Sequence, residues 1–482
     1  MSATTVYEFD ALVSASPGVL DATGLRSVPP SVFAWLQAQA LQVAERGDAA
    51  WLRLTQRRGR PAVQLTRFVG VIRVPDGHQI EVLPKVGKAS DGAEAEVQEQ
   101  ARALLIEMLR CLGGFRHIQT DSARLLAARM PLLEVFIAEF LQSVQYLVKR
   151  GLRSDYTAQL GQLPALRGKL HISAHLRHNL CRRDRFFAAF DEFSPNRPEN
   201  RLLHAALRRV LTWTASASHQ QLARELCFVF SEVPVSEHPA TDFQRVRRDR
   251  NMVHYETALA WARLILTDAS PLTGAGRHLA PSLLFPMEAV FEAFVAKHLA
   301  RQLAPGLSLR TQTQHLALVG HRGQHWFRLR PDLLVQAAKG SSCIRPCNLL
   351  VLDTKWKLID GQQATAADKY GLDQGDFYQL LAYGQNHLDG QGDVVLIYPK
   401  TDAFQQPLPV FEFLKSPGLR LWVLPFCLKT KRLLLPTCVS PSGSLQALFT
   451  LDSQSRLEDQ VVVRDSPVSS AVQTTDTATT GH

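Results

Sequence analysis

The stretch Asn348–Lys357, "NLLVLDTKWK", runs from an apolar segment straight into a carboxylate, a threonine and an ammonium. A buried strand ordinarily gives way to turn residues, whereas the side-chain period of two puts Asp353 and Lys355 on one face just as the strand surfaces. Phosphodiester hydrolysis uses that combination. Carboxylates hold a divalent cation against the scissile phosphate, and a group beside the attacking water orients it or favours its deprotonated form. Standing alone, a D-x-K triplet is more often a surface ion pair at a strand end, so its neighbours decide the reading.

Upstream, "RLRPDLLV" (328–335) places Asp332 at the start of another apolar run, which offers a second carboxylate from an adjacent strand of a hairpin. Pro331 suits a strand start or a bulge, because it cannot donate to a ladder; by itself R-P-D also reads as a turn. Downstream, "DFYQLLAYG" (376–384) spaces Gln379 and Tyr383 at i, i+4, so they stack on one helical face. An amide and a hydroxyl there are suited to a metal-bound water or a nucleic-acid backbone. Asp376 reads as the N-cap of that helix. In "FPMEAVFEAFVAKHL" (285–299), Glu288 and Glu292 lie one turn apart against Phe291, Phe294 and Val295. Glu292, directly after the apolar Phe291, is the candidate third acidic group, and Glu288 the solvated one.

Working outward, 482 residues suffice for several domains, and 46% hydrophobic with 20% charged residues is ordinary for a globular chain. The net charge of +10 favours a polyanionic partner. Seven cysteines, odd in number and scattered, lack zinc-ligand spacing and point to a reduced, cytoplasmic protein. The start "MSATTVYEFD" lacks a signal-peptide pattern, and no apolar run approaches the ~18 residues that span a bilayer, so no membrane association is expected.

Residues 1–92 read as β-rich. "RFVGVIRVPDGHQIEVLPKVG" gives strands Phe68–Val74 and Gln79–Leu83 around the turn Pro75-Asp76-Gly77. Residues 93–275 read as mainly helical. In "LLEVFIAEFLQSVQYLVKRG", Leu133, Phe136, Ile137, Phe140, Leu141, Val144 and Leu147 form a core stripe that Gly151 ends. The same region holds a basic cluster, Lys149, Arg150, Arg153, Arg167, Lys169, Arg177, Arg182, Arg183 and Arg185, with Tyr146, Tyr156, Phe186 and Phe187 interleaved. It reads either as a phosphate-neutralising surface or as a solvated basic face. Residues 276–451 give helix and strand runs in the order α-β-β-α-β, a mixed sheet flanked by helices. The Ser/Thr-rich tail, 452–482, has little to bury and is expected to be disordered. The fold class expected is therefore multidomain α/β.

The order of acidic helix, R-P-D strand, D-x-K strand and Q-x-x-x-Y helix resembles the PD-(D/E)XK nuclease superfamily over roughly residues 283–400. Glu292, Asp332, Asp353, Lys355, Gln379 and Tyr383 carry the resemblance. "FVGVIRVPDGHQIEVLPKVG", "GLRSDYTAQLGQLPALRGKL", "FDEFSPNRPENRLL", "LLFPMEAVFEAFV" and "LVLDTKWK" together look like the McrC family, the nuclease subunit of McrBC modification-dependent (5-methylcytosine) restriction systems. That resemblance implies a Mg2+-dependent DNA endonuclease subunit that docks through its N-terminal region on a hexameric McrB-like AAA+ GTPase and stimulates it. Glu292, Asp332 and Asp353 would hold the metal; Lys355 would activate water; Gln379 and Tyr383 would support the phosphate or its solvent shell. GTP is expected to be used by the partner, since the chain has no G-x-x-x-x-G-K-[ST]; "GQLPALRGKL" has the wrong spacing. The alternatives are a non-cleaving regulatory scaffold and a DNA-binding activator of an AAA+ ring. The complete acidic, basic and amide set argues against a decayed site.

Overall fold

The computed structural model describes residues 3–15, 25–46, 51–86, 94–112, 130–182, 184–247, 252–266, 282–312, 316–337, 347–436 and 444–450. Two compact units are present: Met1–Val295 with Thr354–Leu358, and Ala296–Asp353 with Ile359–His482. The boundaries expected near 92, 275 and 451, Gly113-Gly114, Arg183 and the 452–482 tail lie outside the described residues.

The first unit begins with β1 (Ala3–Tyr7), β2 (Ala11–Ser14), β3 (Arg26–Val28), α1 (Pro30–Arg46), β4 (Leu52–Arg57), β5 (Arg60–Leu65), β6 (Phe68–Arg73) and β7 (Gln79–Leu83). The expected hairpin is present: β6 and β7 pair antiparallel from Gly70↔Val82 to Arg73↔Gln79. Val74 N donates to His78 O across the turn at 2.9 Å. Along α1, Val32, Phe33, Leu36, Ala40 and Val43 make one apolar stripe, which is buried against Leu12, Val63, Leu65, Ile72 and Val82. Each such buried Val, Leu, Ile or Phe side chain contributes roughly 1.5–3 kcal/mol.

Helices follow: α2 (Glu94–Leu109), α3 (Leu132–Arg150), α4 (Ile172–Asn179), α5 (Pro198–Trp213), α6 (Ala217–Val229), α7 (Pro239–Arg245) and α8 (Val253–Leu266). The predicted α3 stripe is buried throughout, and Phe136 meets Trp261 of α8 with ring centroids 5.7 Å apart. The Tyr255 hydroxyl accepts from Arg153 N at 2.8 Å and donates to Asn200 Oδ1 at 2.9 Å, which ties α8 to α5. One part of the region is not helical. β8 (Asp155–Leu163), β9 (Lys169–Leu170) and β10 (Phe186–Ser194) form a sheet of order β8-β10-β9. β8 is almost wholly exposed, so it carries no buried stripe of either period that a sequence could display. Arg167, Lys169, Arg182 and Arg185 of the basic cluster lie in or beside this sheet.

β11 (Ser282–Pro286) completes the first unit's amino-terminal sheet, in the order β1-β7-β6-β11. It pairs antiparallel with β6 from Ser282↔Ile72 to Pro286↔Phe68 and leads directly into α9 (Met287–Leu299). Gly70 is what lets β11 approach. Its φ is +129°, and a Cβ there would stand 2.0 Å from Leu283 O.

The second unit contains β12 (Leu307–Thr311), β13 (Ala317–His321), β14 (Gln324–Arg328), β15 (Leu333–Ala337), β16 (Asn348–Thr354), α10 (Gln374–His387), β17 (Gly392–Pro399), β18 (Phe411–Phe413), β19 (Ser416–Cys427), β20 (Arg432–Leu433) and α11 (Ser444–Ala447). The sheet runs β12-β15-β16-β17-β19-β18, with β20 on β19. It is mixed, as expected: β12, β15 and β16 are antiparallel, and β17 and β19 parallel. β14 and β15 are separate strands, with Pro331, which cannot donate to a ladder, between them; β14 pairs with β13 instead. α10 covers one face, with Leu380 and Tyr383 against Leu334, Val351, Val394, Leu396 and Tyr398.

Among the described residues no helix is long and apolar enough to cross a membrane. Cys111, Cys181, Cys227, Cys347 and Cys427 are free thiols.

Gly70→Ala should lower unfolding free energy by about 3 kcal/mol or more, since it combines an unfavourable φ with a backbone clash. Gly77→Ala, at φ +89° but with nothing within 4 Å of its Cβ, should cost only about 1 kcal/mol. Urea titration of both variants checks the difference.

Candidate active site

The centre of the second unit's sheet places the two strand carboxylates. β15 and β16 pair as Leu333↔Leu352, Leu334↔Val351 and Val335↔Leu350. Asp332 immediately precedes Leu333 and Asp353 immediately follows Leu352, so the antiparallel register brings both to the same end of the ladder, one step past its last pair. Alternation then sets the face. Leu334 and Val351 lie in the cluster under α10, and the carboxylates, two residues from them, share that side of the sheet.

Asp353 does not surface as expected: it is 1% exposed. β16 has β15 on one side and β17 on the other, and its residues from Leu350 to Thr354 are buried; an inner strand of a covered sheet keeps even its end out of water. Regular pairing also ends at Thr354, so Lys355, which is half-buried, lies just beyond the strand. Asp332 is half-buried too, and its main-chain oxygen accepts from Gln312 N at 3.0 Å.

The Gln379 and Tyr383 side chains meet on α10, as their spacing requires. Gln379 Nε2 donates to the Tyr383 hydroxyl at 2.8 Å, and that hydroxyl donates to Arg330 O at 2.9 Å. Tyr383 is 5% exposed. The pair therefore braces the backbone of R-P-D, the turn that delivers Asp332.

The helix N-cap is Asp373, whose carboxylate accepts from Gly375 N at 2.8 Å, and not Asp376. Asp376 sits in the first turn and accepts from the Tyr398 hydroxyl at 3.2 Å. The capping role moves by three residues because "LDQGD" offers two aspartates, and Gly375 provides the nearer free N–H. Tyr398 itself was absent from the sequence reading. Burial raises its pKa well above the ordinary tyrosine range, and the negative charges of Asp376, Asp353 and Asp373 add to the effect, so it stays a donor. The signal was present in the alternation Val394, Leu396, Tyr398, which puts a hydroxyl on the carboxylate face.

Glu292 and Lys355 belong to the first unit. Glu292 is half-buried on α9, directly after the fully buried Phe291. Glu288 has a 45% exposed side chain and lies 3.6 Å from Arg67, in line with a solvated role. Among the described residues no three or more His, Cys, Asp or Glu side chains form a ready-made metal cage. Two hard oxygen donors remain at one strand end. That donor set suits Mg2+, which keeps several waters and takes one or two carboxylates together with substrate phosphates.

Comparison with known proteins adds the following. The family described as "McrBC 5-methylcytosine restriction system component" matches residues 63–399. A McrBC assembly from Thermococcus gammatolerans, a half-complex of McrB AAA+ hexamers with bound McrC, contains a chain similar in fold. Its TM-score is 0.58 at 18% identity, over 88% of this chain and 95% of that one. A chain in a cryo-EM structure of the McrBC complex from the same organism matches with TM-score 0.47 and 19% identity, over 62% of this chain and 88% of that one. No curated protein sequence matches.

Tyr383→Phe removes both the acceptor for Gln379 and the donor to Arg330 O. Loss of one or two part-buried hydrogen bonds should lower unfolding free energy by about 1–2 kcal/mol, measured by urea or thermal unfolding of the full chain.

Proposed function

The chain belongs to the McrBC 5-methylcytosine restriction system component family, and on that premise we propose that it is the DNA-cleaving subunit, a Mg2+-dependent endonuclease of PD-(D/E)XK type. The observation that carries the reading is the β15–β16 register, which sets Asp332 and Asp353 side by side at one strand end, on the face that α10 covers.

In this reading Asp332 and Asp353 hold the metal. Bound there, Mg2+ supplies Lewis-acid stabilisation of the charge that develops on the phosphate and lowers the pKa of a coordinated water. Lys355, two residues past Asp353, holds the attacking water by hydrogen bond and favours its deprotonated form with its positive charge. Gln379 and Tyr383 fix the Arg330 carbonyl, so that Asp332 keeps its place while the phosphodiester is cut. Tyr398 steadies the Asp376 carboxylate beside the site.

Cleavage by this chain depends on an AAA+ GTPase partner, an McrB-like hexamer, that hydrolyses GTP. The sequence has no phosphate-binding P-loop, and Gly161–Leu170, its nearest approach, bridges β8 and β9 instead of opening a helix after a strand. The partner reads the modified base, the amino-terminal region of this chain docks on it, and the basic cluster around β8–β10 contacts a polyanion. The complete acid, amine and amide set favours this over a non-cleaving scaffold.

The test is cleavage of methylated plasmid by the chain with its AAA+ GTPase, GTP and Mg2+. Asp353→Asn, Asp332→Asn and Lys355→Ala should each cut on the order of 10³-fold more slowly, as expected when several kcal/mol of transition-state stabilisation is lost, and EDTA should stop the wild type. Undiminished cutting by the Asp353 and Lys355 variants refutes the reading.

A further inference from the structure

The segment after Asp353, Thr354–Leu358, belongs to the first unit, and three residues hold it there. Glu8 follows β1 and extends the β1–β7 pairing, its N donating to Leu83 O at 2.9 Å. Its carboxylate Oε1 accepts from Lys85 N at 3.0 Å and from the Trp356 indole Nε1 at 2.6 Å. Lys85 Nζ in turn donates to the Trp356 carbonyl at 3.1 Å and lies 4.7 Å from the Phe9 ring centroid. Trp356, 6% exposed, packs on Phe291 of α9 with centroids 5.2 Å apart.

Stability alone does not account for this arrangement. Glu8 is 2% exposed, and its second oxygen, Oε2, is buried with no hydrogen-bond partner among the described residues. Burial pushes the Glu8 carboxyl up and the Lys85 amine down, and each partly offsets the shift of the other. An apolar cluster of equal volume would hold the two chain segments together without that desolvation cost. What the polar version adds is placement. It grips Trp356 at its side chain and at its main chain simultaneously, one residue after Lys355, from positions 348 and 271 residues away in sequence.

We propose that Glu8 and Lys85 are positioning residues for cleavage: by clamping the Trp356 indole N–H and carbonyl they fix the backbone from which the Lys355 ammonium is aimed. The inference rests on the reading of Lys355 given above.

The test uses the full chain with its AAA+ GTPase, GTP, Mg2+ and methylated plasmid, with single-turnover cutting followed across DNA concentrations. Trp356→Phe keeps an aromatic ring beside Phe291 while removing the N–H donor and part of the ring volume, and Glu8→Gln keeps an acceptor but not the charge. Misplacing a reacting group by about 1 Å costs on the order of 10²-fold, so both variants should lower the maximal rate by at least about tenfold while the half-saturating DNA concentration and the thermal midpoint change little. Lys85→Arg should recover more of the rate than Lys85→Met. Wild-type maximal rates in Trp356→Phe overturn the inference, as does a loss of rate matched by a loss of thermal stability in every variant. Asp353→Asn separates the two readings: if the wild type cuts and that variant does not, an active Trp356→Phe sinks the clamp alone. If the wild type does not cut, the nuclease reading fails first.

Discussion

Strand register is the constraint on which the placing of the second unit's two strand carboxylates depends. Because side chains alternate with period two, sliding β15 by one residue against β16 would turn Asp332 to the opposite face and leave Asp353 without its acidic neighbour. The register is held by interlocking devices. Leu333, Leu334 and Val335 are buried between neighbouring strands, Pro331 ends the ladder, and the Tyr383 hydroxyl grips the carbonyl of Arg330. Gln336 adds a bond to Asn348, whose own amide reaches the carboxyl end of α10 at His387 O. Helix and strands thus determine one another's positions, and the carboxylates follow.

The setting of Asp353 shows why such a site must be built from the inside. A carboxylate at an inner strand end is costly to bury, and the region around it is rich in further negative groups, with Asp373 at the N-cap and Asp376 in the first turn of α10. The helix N-terminus offsets part of that accumulation, because its free N–H groups and dipole favour anions. Tyr398, kept protonated by its burial and by the same charges, supplies a hydroxyl donor to Asp376. A surplus of negative potential in a protein of net charge +10 is the environment a divalent cation would favour.

Local signals were legible in the sequence and distant ones were not. The β6–β7 hairpin could be read because its turn residues and both strands lie within sixteen positions of one another, Phe68 to Leu83. The α3 stripe could be read because one face of a helix repeats over a few turns. Asp332, Asp353, Gln379 and Tyr383 can be singled out as candidates from residue type and order, yet the sequence could not say that Gln379 and Tyr383 bond to each other and to a main-chain carbonyl. β8–β10 stayed hidden because β8 is almost wholly exposed and β10 buries fully only Ala188, so neither shows a buried alternation. The contacts of Glu8 with Trp356, and of β6 with β11, join segments hundreds of residues apart, and no local pattern marks either. The choice between Asp373 and Asp376 as N-cap turned on where the helix begins, since the cap is the residue whose carboxylate accepts from a first-turn N–H.

The place of β11 in the amino-terminal sheet governs how the protein can be born. While the chain emerges from the ribosome, β6 has β7 on one flank and open main-chain groups on the other until residue 286 has been made. An open flank of that kind invites pairing with another nascent chain, and closing it demands a loop of some two hundred residues, which is slow. Early synthesis therefore yields an unfinished sheet, and the whole segment carrying α2 to α8 must be made before its last strand can be delivered.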